Sequence, residues 1–170
     1  MGVDIHVKTL KYNEEDNLYH ELKLYTKEKD EYKQVYIYNG RNSEMFDGLM
    51  NRSYDDGYGY FPASGVRLNS LEPTVRKEIE EAQKCRGCYG FSETTLADMK
   101  NYLNEHPEVI EYDTHWDEDD YDKPFEEKPH KTNPIKYLYD EICEYIRFAD
   151  WTFEFTDRLS EYKIIFYFDC

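Results

Sequence analysis

Met1-Gly2-Val3-Asp4-Ile5-His6-Val7-Lys8-Thr9-Leu10 and Tyr162-Lys163-Ile164-Ile165-Phe166-Tyr167-Phe168-Asp169 decide the fold. In the first stretch Val3, Ile5 and Val7 alternate with Asp4, His6 and Lys8, the period-two pattern of a half-buried strand. In the second, Tyr162, Ile164, Phe166 and Phe168 alternate in the same way. Two such strands at opposite ends of the chain are predicted to meet in one sheet. Residues 20–27 and 32–38 read as two further strands around a charged loop at Lys29-Asp30, and Trp151, Phe153 and Phe155 as another before a turn at 157–160.

Four helical segments lie between these ends. A short one carries Met45, Phe46 and Leu49 after a cap at Asn42 or Ser43. A second spans 70–84 with Pro73 in its first turn. A third, capped by Ser92, Thr94 or Thr95, turns Leu96, Met99 and Leu103 inward and stops at His106-Pro107. The fourth opens at Asn133-Pro134 and carries Ile135, Leu138, Ile142, Cys143 and Ile146 on one stripe. Strands at the ends with helices between them predict an α+β fold: a single domain over 1–170, with an antiparallel sheet of three N-terminal and two C-terminal strands and about four helices packed on one side.

The chain has 21 Lys and Arg against 37 Asp and Glu, for a net charge of −16. That balance argues against a stand-alone binder of DNA or RNA, which needs a basic footprint. Aromatic content of 17%, including 18 Tyr, is that of a folding chain rather than a disordered one, and it hints at a homo-oligomer. Nine acids against two lysines fall within 111–128, so 111–131 is predicted to be an exposed acidic loop. No apolar run has the length of a membrane span. The opening residues lack the basic and apolar regions of a signal peptide, so a cytoplasmic location is expected. Cys85-Arg86-Gly87-Cys88 has C-x-x-C spacing, but one pair supplies half of a tetrahedral metal site, and reduced structural thiols are the expectation. Cys143 belongs to the fourth helix's apolar stripe.

Three places could carry chemistry. Asp4 and His6 share a strand face, where a carboxylate and an imidazole can bind a metal or act as base and orienter; the same face, continued by Lys8, also suits solvent. Gly40-Arg41-Asn42 sits where a strand becomes a helix, with free backbone N–H groups and a forked guanidinium suited to an anion, or simply an Asn cap. The segment Tyr54-Asp55-Asp56-Gly57-Tyr58-Gly59-Tyr60-Phe61 sets aromatics among glycines, an arrangement that stacks on bases or covers a core edge. Between Lys33 and Leu71 four bases balance four acids, so a small anion is not repelled there. No nucleophile elbow, P-loop, H-E-x-x-H or dinucleotide glycine fingerprint is present.

Met1-Gly2-Val3-Asp4-Ile5-His6, Gly40-Arg41-Asn42-Ser43-Glu44-Met45-Phe46 and Ile164-Ile165-Phe166-Tyr167-Phe168-Asp169, in that order, resemble a family of small phage and prophage proteins. Those proteins begin MG-x-DIH, carry GRN-Y-x-LF after the first strands and end in a strand like R-hh-FWFDN. Their central HS-x-SWLT stretch is matched here by Tyr89-Gly90-Phe91-Ser92-Glu93-Thr94-Thr95-Leu96 only in its serine, threonine and leucine. The resemblance implies a phage origin, and hence the cytoplasm of an infected bacterium, but no particular activity. It places Asp4, His6, Arg41, Asn42 and Asp169 at motif positions.

Together these features predict one polar pocket at a sheet end and a non-catalytic protein that binds a small nucleotide-like ligand. It would sequester a nucleotide-derived bacterial immune signal as an anti-defence sponge. Arg41 and Asn42 at the helix start, aided by Arg67, would hold phosphate. Tyr58, Tyr60 or Phe61 would stack the base, and His6, Asp4 and Asp169 would supply polar contacts. No cofactor or resident metal, no direct nucleic-acid contact and no membrane contact is expected. Two alternatives are a metal-assisted hydrolase of a nucleotide-like substrate using Asp4, His6 and Asp169, and an acidic DNA mimic that blocks a host defence nuclease.

Overall fold

A computed structural model describes residues 3–37, 43–51, 60–107, 109–113 and 128–169. In chain order it contains β1 (Asp4–Asn13), β2 (Leu18–Glu21), β3 (Leu24–Glu28), β4 (Glu31–Val35), α1 (Ser43–Leu49), β5 (Ser64–Gly65), α2 (Pro73–Lys84), β6 (Tyr89–Thr95), α3 (Leu96–Glu105), β7 (Val109–Asp113), β8 (Lys128–Thr132), α4 (Pro134–Ala149) and β9 (Tyr162–Asp169). Short 3-10 turns occupy Leu68–Ser70, Trp151–Phe155 and Leu159–Glu161. The class is α+β, as expected, and every strand pair is antiparallel.

The two deciding stretches pair directly. β1 and β9 run antiparallel from Asp4↔Asp169 to Lys11↔Tyr162 and form the centre of a five-stranded sheet of order β2-β1-β9-β6-β5. Period-two alternation then divides the sheet into two faces. Ile5, Val7, Tyr162, Ile164, Phe166 and Phe168 join the main core with residues of α1, α3 and α4. Leu10 and Ile165 point the other way, under Leu71 and under Val75 and Ile79 of α2. Helices therefore cover both faces rather than one, because both sets of alternating positions carry apolar side chains.

α4 is the principal helix of the main core. Asn133 caps it by accepting from the Ile135 N–H, and Pro134 fills the first turn. Its Ile135, Leu138, Ile142 and Ile146 are fully buried, each contributing about 2 kcal/mol of apolar burial. Thr95 caps α3 and Glu72 caps α2, each accepting from backbone N–H groups in the first turn.

Strand membership differs from the sequence expectation in several places. β3 and β4 form a separate two-stranded hairpin: only the Leu24↔Val35 pair at its base packs against the main core, and the charged residues towards its turn are exposed. Residues 89–95, expected to be the end of a turn and a capping segment, form an inner strand of the sheet that ends on the Thr95 cap of α3. Trp151–Phe155 winds into a 3-10 turn, since only Phe153 of the three aromatics is buried. Asp150 starts that turn by accepting from the Thr152 N–H. Within the predicted acidic loop, β7 and β8 pair with each other from Val109↔Thr132 to Asp113↔Lys128, while residues 114–127 lie outside the described residues.

Asp150 also fastens β1 to β9. Its Oδ2 accepts from Lys11 Nζ and from the Tyr162 hydroxyl, each at 2.7 Å. Burial alone would raise its carboxyl pKa, but hydrogen bonds from Lys11, Thr152 and Tyr162 outweigh burial and hold it at about 2, below the ordinary 3.8. Because the folded value is depressed, this contribution to stability is complete above about pH 4 and disappears as pH falls towards 2. Asp150→Asn should accordingly be less stable than wild type at pH 6 in urea titrations, with the gap narrowing between pH 4 and pH 2.

Gly90 supplies a second constraint. Its φ is +66°, and a Cβ there would sit 2.6 Å from Phe168 Cδ2 and 3.1 Å from Met50 Sδ. Both the left-handed backbone and the contact exclude a side chain. Gly90→Ala should cost about 3 kcal/mol in denaturant titration. Gly65→Ala, which meets nothing within 4 Å, should stay within about 0.5 kcal/mol of wild type.

Candidate functional site

The β1–β9 register sets Asp4 opposite Asp169, His6 opposite Tyr167 and Lys8 opposite Ile165, all on the α2 side of the sheet. Neighbouring strands lie about 4.8 Å apart, which is also a stacking distance for flat rings. The His6 and Tyr167 rings stack at 4.7 Å with 7° between their planes. Tyr167 stacks in turn on Phe91 at 4.7 Å and 12°. Phe91 reaches this position through a bulge: the register steps from Tyr89↔Phe168 to Ser92↔Phe166, so Gly90 and Phe91 share the space opposite Tyr167. Three rings on three adjacent strands thus form one column.

The column ends at His6 on a cavity of about 280 Å³, lined by Ile5, His6, Val7, Lys8, Ile37 and the exposed Tyr36, with Tyr167 behind. The Val7↔Ile37 bridge forms its wall. Its volume is near the lower bound for ligand cavities, enough for one planar ring system. A larger hollow of about 1070 Å³ lies between α3, α4 and the 3-10 turns. It is a shallow, open surface of mixed charge, and none of the predicted site residues lines it.

His6 Nε2 is 2.9 Å from Asp169 Oδ2. The approach is off the line a hydrogen bond requires, and Nε2 is shielded from solvent without a directed partner. Lys8 is held between Glu78 Oε2 at 2.7 Å and Glu21 Oε1 at 3.2 Å. Burial works against its charge, but the Glu78 and Glu21 carboxylates reverse that and raise it above the usual lysine range. Lys8 thereby stays charged, with its ammonium committed to Glu78 and Glu21, and serves as a wall of the cavity.

Of the eight residues singled out from sequence, the structure brings Asp4, His6 and Asp169 together at one end of the sheet. Arg41, Asn42 and Tyr58 lie outside the described residues. Tyr60 is exposed and adjoins Phe61, which packs into the core on the opposite face of the sheet. Arg67 is engaged elsewhere: its Nε donates to Glu93 Oε1 at 2.5 Å and its backbone N–H to Oε2 at 3.0 Å. Glu93 stands opposite Ile165, four residues from Asp169 along β9, which is about 13 Å. Arg67 and Tyr60 therefore do not join the His6 pocket. Among the described residues no three of His, Cys, Asp and Glu are grouped as metal ligands.

Sequence reading missed Tyr36, Phe91 and Tyr167. Tyr36 and Tyr167 do alternate on the non-core side of their segments, but only the strand register shows that Tyr167 meets an imidazole. Phe91 carried no periodic signal because of the bulge.

Glu93 has a structural role. Lys163 Nζ, buried beneath the ring of Tyr19 at 4.2 Å, donates to Glu93 Oε2 at 3.0 Å and to Ser70 Oγ at 2.7 Å. Burial tends to neutralise both groups. Hydrogen bonds from Arg67 and Lys163 nevertheless keep the Glu93 carboxyl below its usual range.

Comparison with protein-family models, curated proteins and solved structures finds no match. Among the described residues no helix is long and apolar enough to cross a membrane.

The ion pair is open to a direct test. Glu93→Ala, which strands the Lys163 ammonium, should cost about 3–5 kcal/mol in chemical denaturation. Replacing both partners by leucine should recover most of that loss.

Proposed function

We propose that this protein binds a small nucleotide-like ligand and holds it without turnover. A planar base inserts between the outer face of His6 and Tyr36, extending the Phe91–Tyr167–His6 column by one ring. Stacking of a base on an aromatic platform is worth about 1–3 kcal/mol and tolerates different bases. The ring column that stops at an open cavity is the observation that carries this reading. The partly exposed Asp169 carboxylate offers a polar partner to the base or ribose. Arg41, four residues beyond Ile37 in sequence, is assigned the phosphate.

With the Lys8 ammonium already paired to two carboxylates, the cavity selects for a compact ligand whose negative charge lies away from the base. Such a ligand fits a phage protein that sequesters a nucleotide-derived immune signal in the infected cell. The hydrolase alternative needs Asp4, His6 and Asp169 to act as a metal-binding set, and the described residues offer no such grouping.

Calorimetry with cyclic mono- and dinucleotides and ADP-ribose-type compounds tests the proposal. At least one should bind more tightly than about 100 μM and be recovered unchanged. His6→Ala and Tyr36→Ala should each weaken that binding roughly 5- to 150-fold, whereas Tyr60→Ala should leave it unaltered. Absence of binding across the panel, or conversion of the bound compound, would defeat the proposal.

A further inference from the structure

The Cys85-Arg86-Gly87-Cys88 segment leaves the C-terminus of α2 as a tight turn. The Cys88 N–H donates to the Cys85 carbonyl at 3.2 Å. A turn closed in this way holds its first and fourth Cα atoms within about 7 Å, which overlaps the range that a disulfide spans. Cys85 is exposed and Cys88 half-buried, so the first is the more accessible to a reagent.

The polar groups of the turn lower the Cys85 thiol pKa from its ordinary value. The Gly87 N–H and then the Cys88 thiol do most to lower the Cys85 pKa, while the Asp169 carboxylate works against them. Cys143 is the contrast: it is buried in the main core, and burial pushes its thiol up. Thiolate character and access together determine which cysteine reacts first.

We propose that Cys85 and Cys88 are a redox-active dithiol that closes to a disulfide by exchange with a small-molecule disulfide. The Cys85 thiolate attacks one sulfur of that reagent, forming a mixed disulfide and expelling one thiolate. Cys88 gives up its proton to solvent and attacks the Cys85 sulfur, expelling the second. Two protein thiols are oxidised by two electrons, and one disulfide reagent is reduced to two thiols. Cys85 is the attacking sulfur and Cys88 the resolving one. Neither cysteine lines the His6 pocket.

Incubating the full chain with oxidised glutathione, then blocking free thiols and mapping peptides by mass, tests the assignment. Trypsin cuts after Lys84 and Arg86, so the disulfide would hold the dipeptide Cys85-Arg86 to the fragment that begins at Gly87. The expected product is that linked pair, with two hydrogens lost, no glutathione retained and full reversal by dithiothreitol. Cys88→Ser should trap a stable glutathione adduct on Cys85. Cys85→Ser should slow modification of Cys88 at least tenfold. The proposal is overturned if wild type retains glutathione on Cys85 as Cys88→Ser does. It is equally overturned if Cys85 pairs with Cys170, or if Cys85 reacts no faster than Cys143.

Discussion

The pairing of β1 with β9 is the interaction on which the rest of the structure depends. It joins Asp4 to Asp169 and Lys11 to Tyr162 across nearly the whole sequence. The entropic cost of closing so long a loop grows only logarithmically with its length. It is offset by a central strand whose Tyr162, Ile164, Ile165, Phe166 and Phe168 are all buried. Both faces of that strand are covered, so an error of one residue in register would exchange the two apolar sets and expose the Asp169 and Tyr167 face to the main core.

The same register builds the candidate site. A half-buried imidazole can stack on a phenol here because strand spacing and ring spacing coincide. The bulge at Gly90 then adds a third ring from β6. One end of the sheet face is thereby aromatic and acidic, while the middle is sealed by α2 and the far end by the Lys163–Glu93–Arg67 cluster. Dividing the face this way explains why Arg67, plausible from composition, serves stability instead of the pocket. Its partner Glu93 must be satisfied because Lys163 is buried with it.

The terminal strands and two helix starts were legible in the sequence because each rests on a local signal. Alternation marks β1 and β9, Asn133-Pro134 opens α4, and Thr95 caps α3. β6 was not legible. Its buried residues include Glu93 and Thr94, polar groups that resemble a cap until their tertiary partners are known. Trp151–Phe155 misled in the other direction, since an alternating aromatic run with two exposed members satisfies the pattern of a strand without being one. For the site, Asp4, His6 and Asp169 could be chosen as polar residues on terminal strands. Tyr167 and Phe91 required a register and a bulge, neither of which a single sequence encodes locally.

Proton NMR of the aromatic side chains tests the central claim most directly. Stacking at 4.7 Å on Tyr167 predicts that the His6 ring protons move upfield by ring current. It also predicts cross-strand nuclear Overhauser contacts from His6 to Tyr167 and from Tyr167 to Phe91. His6 ring signals at their unstructured positions, with no contact to Tyr167, would contradict both the register and the site built upon it.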